Sequence, residues 1–179
     1  MPRWKKEIRG WKFQPGTIDG KRVPTGMSLH VRLELVPQGG RYRVRIVNAF
    51  TGVGYQRMTK PSWPGGEGAW RGRAHLVVLL VAYDEKGNVT SMEDVEQPKK
   101  VKDTFRNSAH AAVSQWVFQP EIVGGIARAG RAYVPVCFSG GGECPPARYP
   151  ASANSKESHG LVAIEPATQL LSDVAGRAL

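Results

Sequence analysis

The sequence predicts an α+β fold in which one small unit occurs twice, the first time in partial form. Two stretches, 11–20 and 116–125, align without a gap at an offset of 105 residues, and both begin with Trp-x-Phe-Gln-Pro. Apolar residues with helical spacing precede each tryptophan, and alternating apolar and polar residues follow each stretch. We therefore expect a helix and strands in each unit. The predicted segments are a partial unit (1–50), a linker (51–60), a complete unit (61–144) and a tail (145–179).

The partial unit is predicted to start inside a helix. Trp4, Ile8 and Trp11 are spaced four and three residues apart and form one helical stripe. In the alignment Trp4 lies opposite Ala109, inside the second helix. We therefore expect the rest of this helix and two strands to be encoded upstream of Met1.

A β-hairpin is predicted next, and one of its faces is cationic. Residues 29–36 and 42–47 alternate between apolar and polar side chains around the turn residues Gly39-Gly40. The outward face carries Arg41, Arg43 and Arg45. Residues 1–60 contain 13 Lys and Arg but three acidic residues, whereas the rest of the chain contains 12 of each. A nucleic-acid site on this face would need stacking aromatic residues, and Tyr42 points the other way, so we expect no nucleic-acid partner.

The complete unit is predicted to contain two strands, a helix and a final strand. The continuous apolar run His75–Ala82 suits a central strand covered on both faces, and Glu85–Asn88 suits a turn into a weaker strand, 89–95. The helical stripe consists of Phe105, Ala109, Ala112 and Trp116, with Asp103 as the candidate N-cap. In the flexible tail, Glu165–Leu179 is predicted to form a short helix.

The sequence contains no pattern typical of a catalytic or metal-binding site. The four histidines are scattered, and none has a ligand spacing such as His-x-x-x-His. We therefore expect neither an enzyme nor a bound metal or cofactor. Cys137 and Cys144 flank a glycine-rich turn, and they either form a disulfide or remain free thiols. The candidate core anchors are Trp11, Phe13, Trp116 and Phe118, because each follows a helical stripe and enters a turn.

Several elements occur in an order typical of one family. They are Pro61-Ser62-Trp63-Pro64, Ala69 and Gly72, the strand–turn–strand around Asp84–Val89, the helix ending in Ala111–Pro120, and the strand Tyr133–Phe138. In this order they resemble the C-terminal domain of the TonB energy-transducing proteins, although Trp63 replaces the tyrosine usual in that family. Residues 1–36 resemble the end of a second such domain.

The resemblance implies a small antiparallel β-sheet with one helix packed across it. It also implies a periplasmic module that relays energy from proton-driven inner-membrane partners to outer-membrane receptors, tethered by an N-terminal membrane helix. The longest apolar run in this chain, Leu76–Ala82, is far shorter than the roughly 20 residues of a membrane helix, and no secretion signal is visible. We therefore expect the tether to the inner membrane to be supplied by a segment absent from this chain.

The resemblance further implies binding of an extended segment of an outer-membrane TonB-dependent receptor by β-strand addition, which requires a free sheet edge. Pro135 lacks an N–H group and is tolerated where that group would face solvent, so we expect the last strand to be this edge. The predicted partner-binding residues are Ala132, Tyr133, Val134, Pro135, Val136, Cys137, Phe138 and Trp63. The alternative is a structural or assembly domain of the cell envelope without energy coupling, whose units pair with each other or in a homodimer.

Overall fold

The protein is mainly β. The computed structural model describes residues 3–65, 72–149, 157–158 and 160–178. About half of the residues lie in strands and about a tenth in the two helices, and the strands form several small antiparallel sheets. The expected α+β fold, with one antiparallel sheet and a single helix packed across it, is therefore wrong. The excess of strand arises because segments predicted as linker, turn and tail pair with distant parts of the chain.

The described residues contain two helices and 17 strands. The helices are α1 (Arg3–Arg9) and α2 (Asp103–Val113). The strands up to residue 57 are β1 (Phe13–Gln14), β2 (Thr17–Ile18), β3 (Lys21–Arg22), β4 (Thr25–Gly26), β5 (Ser28–Gln38), β6 (Arg41–Gly52) and β7 (Gly54–Arg57). The later strands are β8 (Ala74–Tyr83), β9 (Val89–Asp94), β10 (Val117–Gln119), β11 (Ile122–Val123), β12 (Ile126–Ala127), β13 (Gly130–Ser139), β14 (Ala147–Arg148), β15 (Glu157–Ser158), β16 (Val162–Ile164) and β17 (Gln169–Leu170).

The chain forms two compact units, each assembled from separate segments. Unit 1 comprises Met1–Gly52, Glu121–Ile126 and Pro166–Leu179, and unit 2 comprises Val53–Pro120 and Ala127–Glu165. The segment predicted as a linker, 51–60, instead contains β7, which pairs with β10. The segment predicted as a flexible tail with a short helix contains β14, β15, β16 and β17. These strands are two to four residues long, too short to produce a periodic pattern in the sequence.

The core of unit 2 lies on both faces of a four-stranded antiparallel sheet with the order β16-β13-β8-β9. On one face Val77, Leu79 and Val81 of β8 pack in one cluster with buried residues of α2, among them Phe105. On the other face Val78 is also buried. The apolar run His75–Ala82, which forms most of β8, is therefore covered on both sides, as its continuity predicted.

Unit 1 has a smaller core beneath the predicted hairpin. Strands β5 and β6 pair antiparallel around Gly39-Gly40, with one register irregularity between Arg32 and Leu33. Ile46 of β6 is fully buried against Trp11 and Val174. The segment after β17 also holds β6, because the Ile46 N–H donates to the Arg177 carbonyl at 2.9 Å.

The repeat found in the sequence persists in the backbone. The Trp11 N–H donates to the Ile8 carbonyl at 3.0 Å, and the Trp116 N–H donates to the Val113 carbonyl at 3.0 Å. The turns that follow are alike: Asp19 and Gly20 have φ of 51° and 74°, and the equivalent pair Gly124-Gly125 has 60° and 84°. Two successive residues with positive φ make the tight turn that joins paired strands, so both copies leave the helix and enter their strands in the same way.

Candidate protein-interaction site

The predicted recognition strand, β13, is firmly paired on one side. Ten successive residues of β13 pair with β8, and the register runs through Pro135, which lies opposite Val78. Because this ladder continues without a shift, the N–H group that Pro135 lacks belongs to the opposite side of the strand. Val134, Val136 and Phe138 are buried in the same core as α2, which keeps β13 in register.

The opposite side of β13 is partly covered by the chain itself. Strand β16 pairs with Arg131, Ala132 and Tyr133. Ala132 and Tyr133, which the sequence predicted as partner-binding residues, are therefore already paired on this edge. Within the described residues no strand pairs with 134–138 on that side. The edge that remains for a partner strand is five residues long and lacks one donor at Pro135.

Trp63 lies in the core of unit 2 instead of on the edge. It is half-buried, and its ring meets the rings of Phe105 and Phe138 edge-on, with centroids 6.1 and 5.9 Å away. These contacts join α2 to β13, and part of the indole surface stays exposed.

The predicted anchor residues are placed in the two cores. Trp11, Trp116 and Phe118 are buried, and Phe13 is half-buried against the core of unit 1. Only one of the two indoles is hydrogen-bonded: Nε1 of Trp116 donates to the Thr59 carbonyl at 2.7 Å. Nε1 of Trp11 is buried and has no hydrogen-bond partner among the residues described.

Cys137 and Cys144 form a disulfide at the end of the β13 edge. Inside the loop that the disulfide closes, the Ser139 hydroxyl donates to the Gly142 carbonyl at 2.6 Å. Tyr133 stacks on Tyr149 with ring centroids 5.0 Å apart. The disulfide and the stacked rings attach the chain that follows β13 to the strand itself.

The sequence analysis missed a longer open edge, that of β5. In the repeat β5 occupies the position of β13, since each is the long strand after a Trp-x-Phe-Gln-Pro stretch. Within the described part of the chain β5 pairs with β6 alone, over 11 residues. The equivalence of β5 and β13 in the repeat was the sequence signal for this edge. Only the structure shows that β16 covers part of the β13 edge, whereas no described strand covers the outer edge of β5.

The pairing of the hairpin defines which main-chain groups of β5 face outward. Gln38 and Arg41 flank the two-residue turn, so they exchange hydrogen bonds across the hairpin. The main-chain groups that point away from β6 therefore belong to the alternate residues Leu33, Leu35 and Pro37. Pro37 has no N–H to offer, so the outward donors near the tip are those of Leu33 and Leu35.

The two faces of the hairpin differ in chemistry. On one face Leu35 lies opposite Val44, and Pro37 lies opposite Tyr42. Leu35 and Tyr42 are 65% and 71% exposed, so this apolar face extends beyond the core. The opposite face carries Arg41, Arg43 and Arg45, and among the described residues only Arg45 has an acidic partner there, in an ion pair with Glu34.

The described residues contain no group of His, Cys, Asp and Glu side chains that could hold a metal ion. In the same ranges no helix has the length and apolar character needed to cross a membrane. Searches of protein-family models, curated proteins and solved structures find no match to this chain.

Proposed function

We propose that this chain is a protein-interaction module that captures an extended segment of a partner protein by β-strand addition to the outer edge of β5. The observation that carries the proposal is the outer edge of β5 at residues 31–38, which pairs with no other strand in the described structure and has exposed leucines near its tip. A long edge strand presents a row of main-chain donors and acceptors, and native proteins usually cover or shorten such edges unless a partner pairs with them.

The faces of the hairpin indicate the sequence of the captured segment. Side chains of an added strand alternate between the two faces of the sheet. On one face they would meet Leu33, Leu35 and Pro37 of β5, and on the other Arg32, Glu34 and Val36. Glu34 is already paired with Arg45, and Arg41 and Arg43 of β6 lie on the same face one strand further away, so this face has a net positive charge. The favoured segment therefore alternates between apolar and acidic residues. The edge of β13 at 134–138 is a second, shorter site of the same kind.

The partner class follows from the resemblance to the TonB C-terminal domain. It would be an outer-membrane TonB-dependent receptor, with the chain in the periplasm and proton-channel proteins of the inner membrane as further partners. The disulfide between Cys137 and Cys144 supports an oxidising compartment such as the periplasm. One observation favours the alternative, a structural or assembly domain: the chain's own β16 already occupies part of the β13 edge.

The test is a titration with a seven-residue peptide that alternates valine and glutamate and is blocked at both ends. We expect saturable amide shifts in residues 33–36. Leu35→Pro removes an outward N–H without removing a bond to β6, and it should weaken binding at least about tenfold. The matched control, Leu35→Ala, keeps that N–H and should retain most of the affinity.

A peptide with lysine in place of glutamate should bind more weakly, because it meets the arginine face with like charge. Equal affinities for the Leu35→Pro and Leu35→Ala proteins would refute strand addition at β5. A third outcome supports the assembly alternative. In that case the wild-type chain does not bind the peptide and instead forms dimers, which Leu35→Pro abolishes.

A further inference from the structure

A cleft in unit 2 combines positive charge with an apolar floor. Its volume is 610 Å³, and it lies between the start of β8, the segment 97–101 and the loop 142–148. Leu76 and Val101 contribute apolar surface, and Pro145 and Pro146 are among the residues of its wall. Among the described residues of its lining the cations are Arg73, Lys99 and Arg148 and the carboxylate is Glu143. Arg148 already interacts with other residues of the chain, so Arg73 and Lys99 are the cations considered for a ligand.

The walls of this cleft are held in place independently of any ligand. The Gln97 side chain donates to the Arg148 carbonyl at 2.9 Å, and it accepts a hydrogen bond from the Arg148 N–H at 3.0 Å. This pair of bonds joins the segment 97–101 to the loop 142–148. At the other end, the Gly140 N–H donates to the Arg73 carbonyl at 2.8 Å, and the disulfide at Cys144 fixes the start of the loop.

We propose that this cleft binds a small organic anion, a carboxylate or a phosphate attached to an apolar group, between Arg73 and Lys99. Guanidinium groups pair with both kinds of anion through two parallel hydrogen bonds, and a lysine adds a further charge-assisted bond. The apolar floor adds contact area for the remainder of the ligand. Because walls that are already fixed need not be ordered on binding, they reduce the entropic cost of association. The site is separate from the β5 edge, and its proposal does not depend on the proposed function.

His75, which also lines the cleft, reports on its charge. Burial, and after it the positive charges of Lys99, Arg73 and Lys102, lower the pKa of the His75 imidazole. An anion bound among these cations offsets their field and favours the protonated ring. Binding should therefore move the His75 titration, followed by NMR, to higher pH.

The experiment titrates the full chain with phenyl phosphate, phenylacetate and inorganic phosphate. We expect saturable binding of the phenyl compounds that raises the pKa of His75, and weaker binding of inorganic phosphate, which lacks the apolar group. Lys99→Gln and Arg73→Gln should each weaken binding at least about tenfold. Lys86→Gln removes the same charge from an exposed turn of unit 2 outside the cleft and serves as the matched control.

Preference for phenyl phosphate assigns the site to phosphorylated ligands, and preference for phenylacetate assigns it to carboxylates. The proposal is overturned if the response does not saturate, or if Lys86→Gln weakens binding as much as Lys99→Gln does. Thermal melts of all three variants check that they remain folded, and failure at this cleft leaves the β5 experiment unaffected.

Discussion

The two repeat-equivalent tryptophans should differ in how strongly the same substitution destabilises their units. Trp11 and Trp116 are 6% and 7% exposed, so replacing either with phenylalanine removes similar packing. They differ in the hydrogen bonding of the indole N–H. The N–H of Trp116 donates to the Thr59 carbonyl, whereas that of Trp11 has no partner among the described residues. The difference between the two variants therefore isolates the hydrogen bond.

The magnitude follows from the cost of burying polar groups. Trp116→Phe loses a hydrogen bond with a net value of about 1 kcal/mol. Trp11→Phe removes a buried donor without a partner, which relieves about 1–3 kcal/mol. We expect Trp116→Phe to destabilise unit 2 by about 2–4 kcal/mol more than Trp11→Phe destabilises unit 1. For comparison, truncation by Trp116→Ala should cost about 3–5 kcal/mol.

Native-state hydrogen exchange measures both effects, because it reports the opening free energy of each unit separately. Suitable probes are the core amides of Ile46 in unit 1 and Leu79 in unit 2, both fully buried. Equal costs for the two phenylalanine variants would show that the indole of Trp11 is as well satisfied as that of Trp116, and the reasoning would fail.

Three further predictions concern a turn, the disulfide and a buried carboxylate. Gly87 has φ of +85°, and an added Cβ would lie 2.0 Å from the Phe118 carbonyl oxygen. Gly87→Ala should therefore lower the stability of unit 2 by about 1–3 kcal/mol, measured by thermal melts. Reduction of the bond between Cys137 and Cys144 should cost about 2–3 kcal/mol, seen as a lower melting temperature in dithiothreitol. Burial raises the pKa of Glu121 although two backbone N–H groups donate to it, so the stability of unit 1 should fall as the pH rises from the ordinary glutamate pKa through the raised one.

Each of these predictions has a matched control. Gly39 also has positive φ, but an added Cβ would meet nothing within 4 Å, so Gly39→Ala should cost only the conformational strain. A Cys137→Ser, Cys144→Ser protein should melt like the reduced wild type and ignore dithiothreitol. Glu121→Gln should remove the decline in stability with pH in this range. If the decline persists in that variant, another group causes it.

Local patterns were enough to predict the long elements. The continuous run that begins β8, the hairpin around Gly39-Gly40 and the turn at Gly87 all appear where the sequence indicates them. Each depends on neighbours within a few residues: alternation along a strand, or positive φ at a glycine. The second helix also forms, but the prediction of Asp103 as its N-cap is wrong: Asp103 is the first helical residue, and the N-cap is Lys102, which makes no side-chain capping hydrogen bond.

Only the tertiary structure decided the fold class and the identity of the open edge. Strands such as β7, β16 and β17 contain two to four residues, and their partners are far away along the chain. Such pairing depends on which remote segments the cores bring together, and alternation cannot be recognised in so few residues. By itself, the sequence determined that a Trp-x-Phe-Gln-Pro unit recurs and leads into a long strand. It could not determine that β16 would cover part of the β13 edge while β5 stayed open, because that depends on where a distant segment of the chain packs.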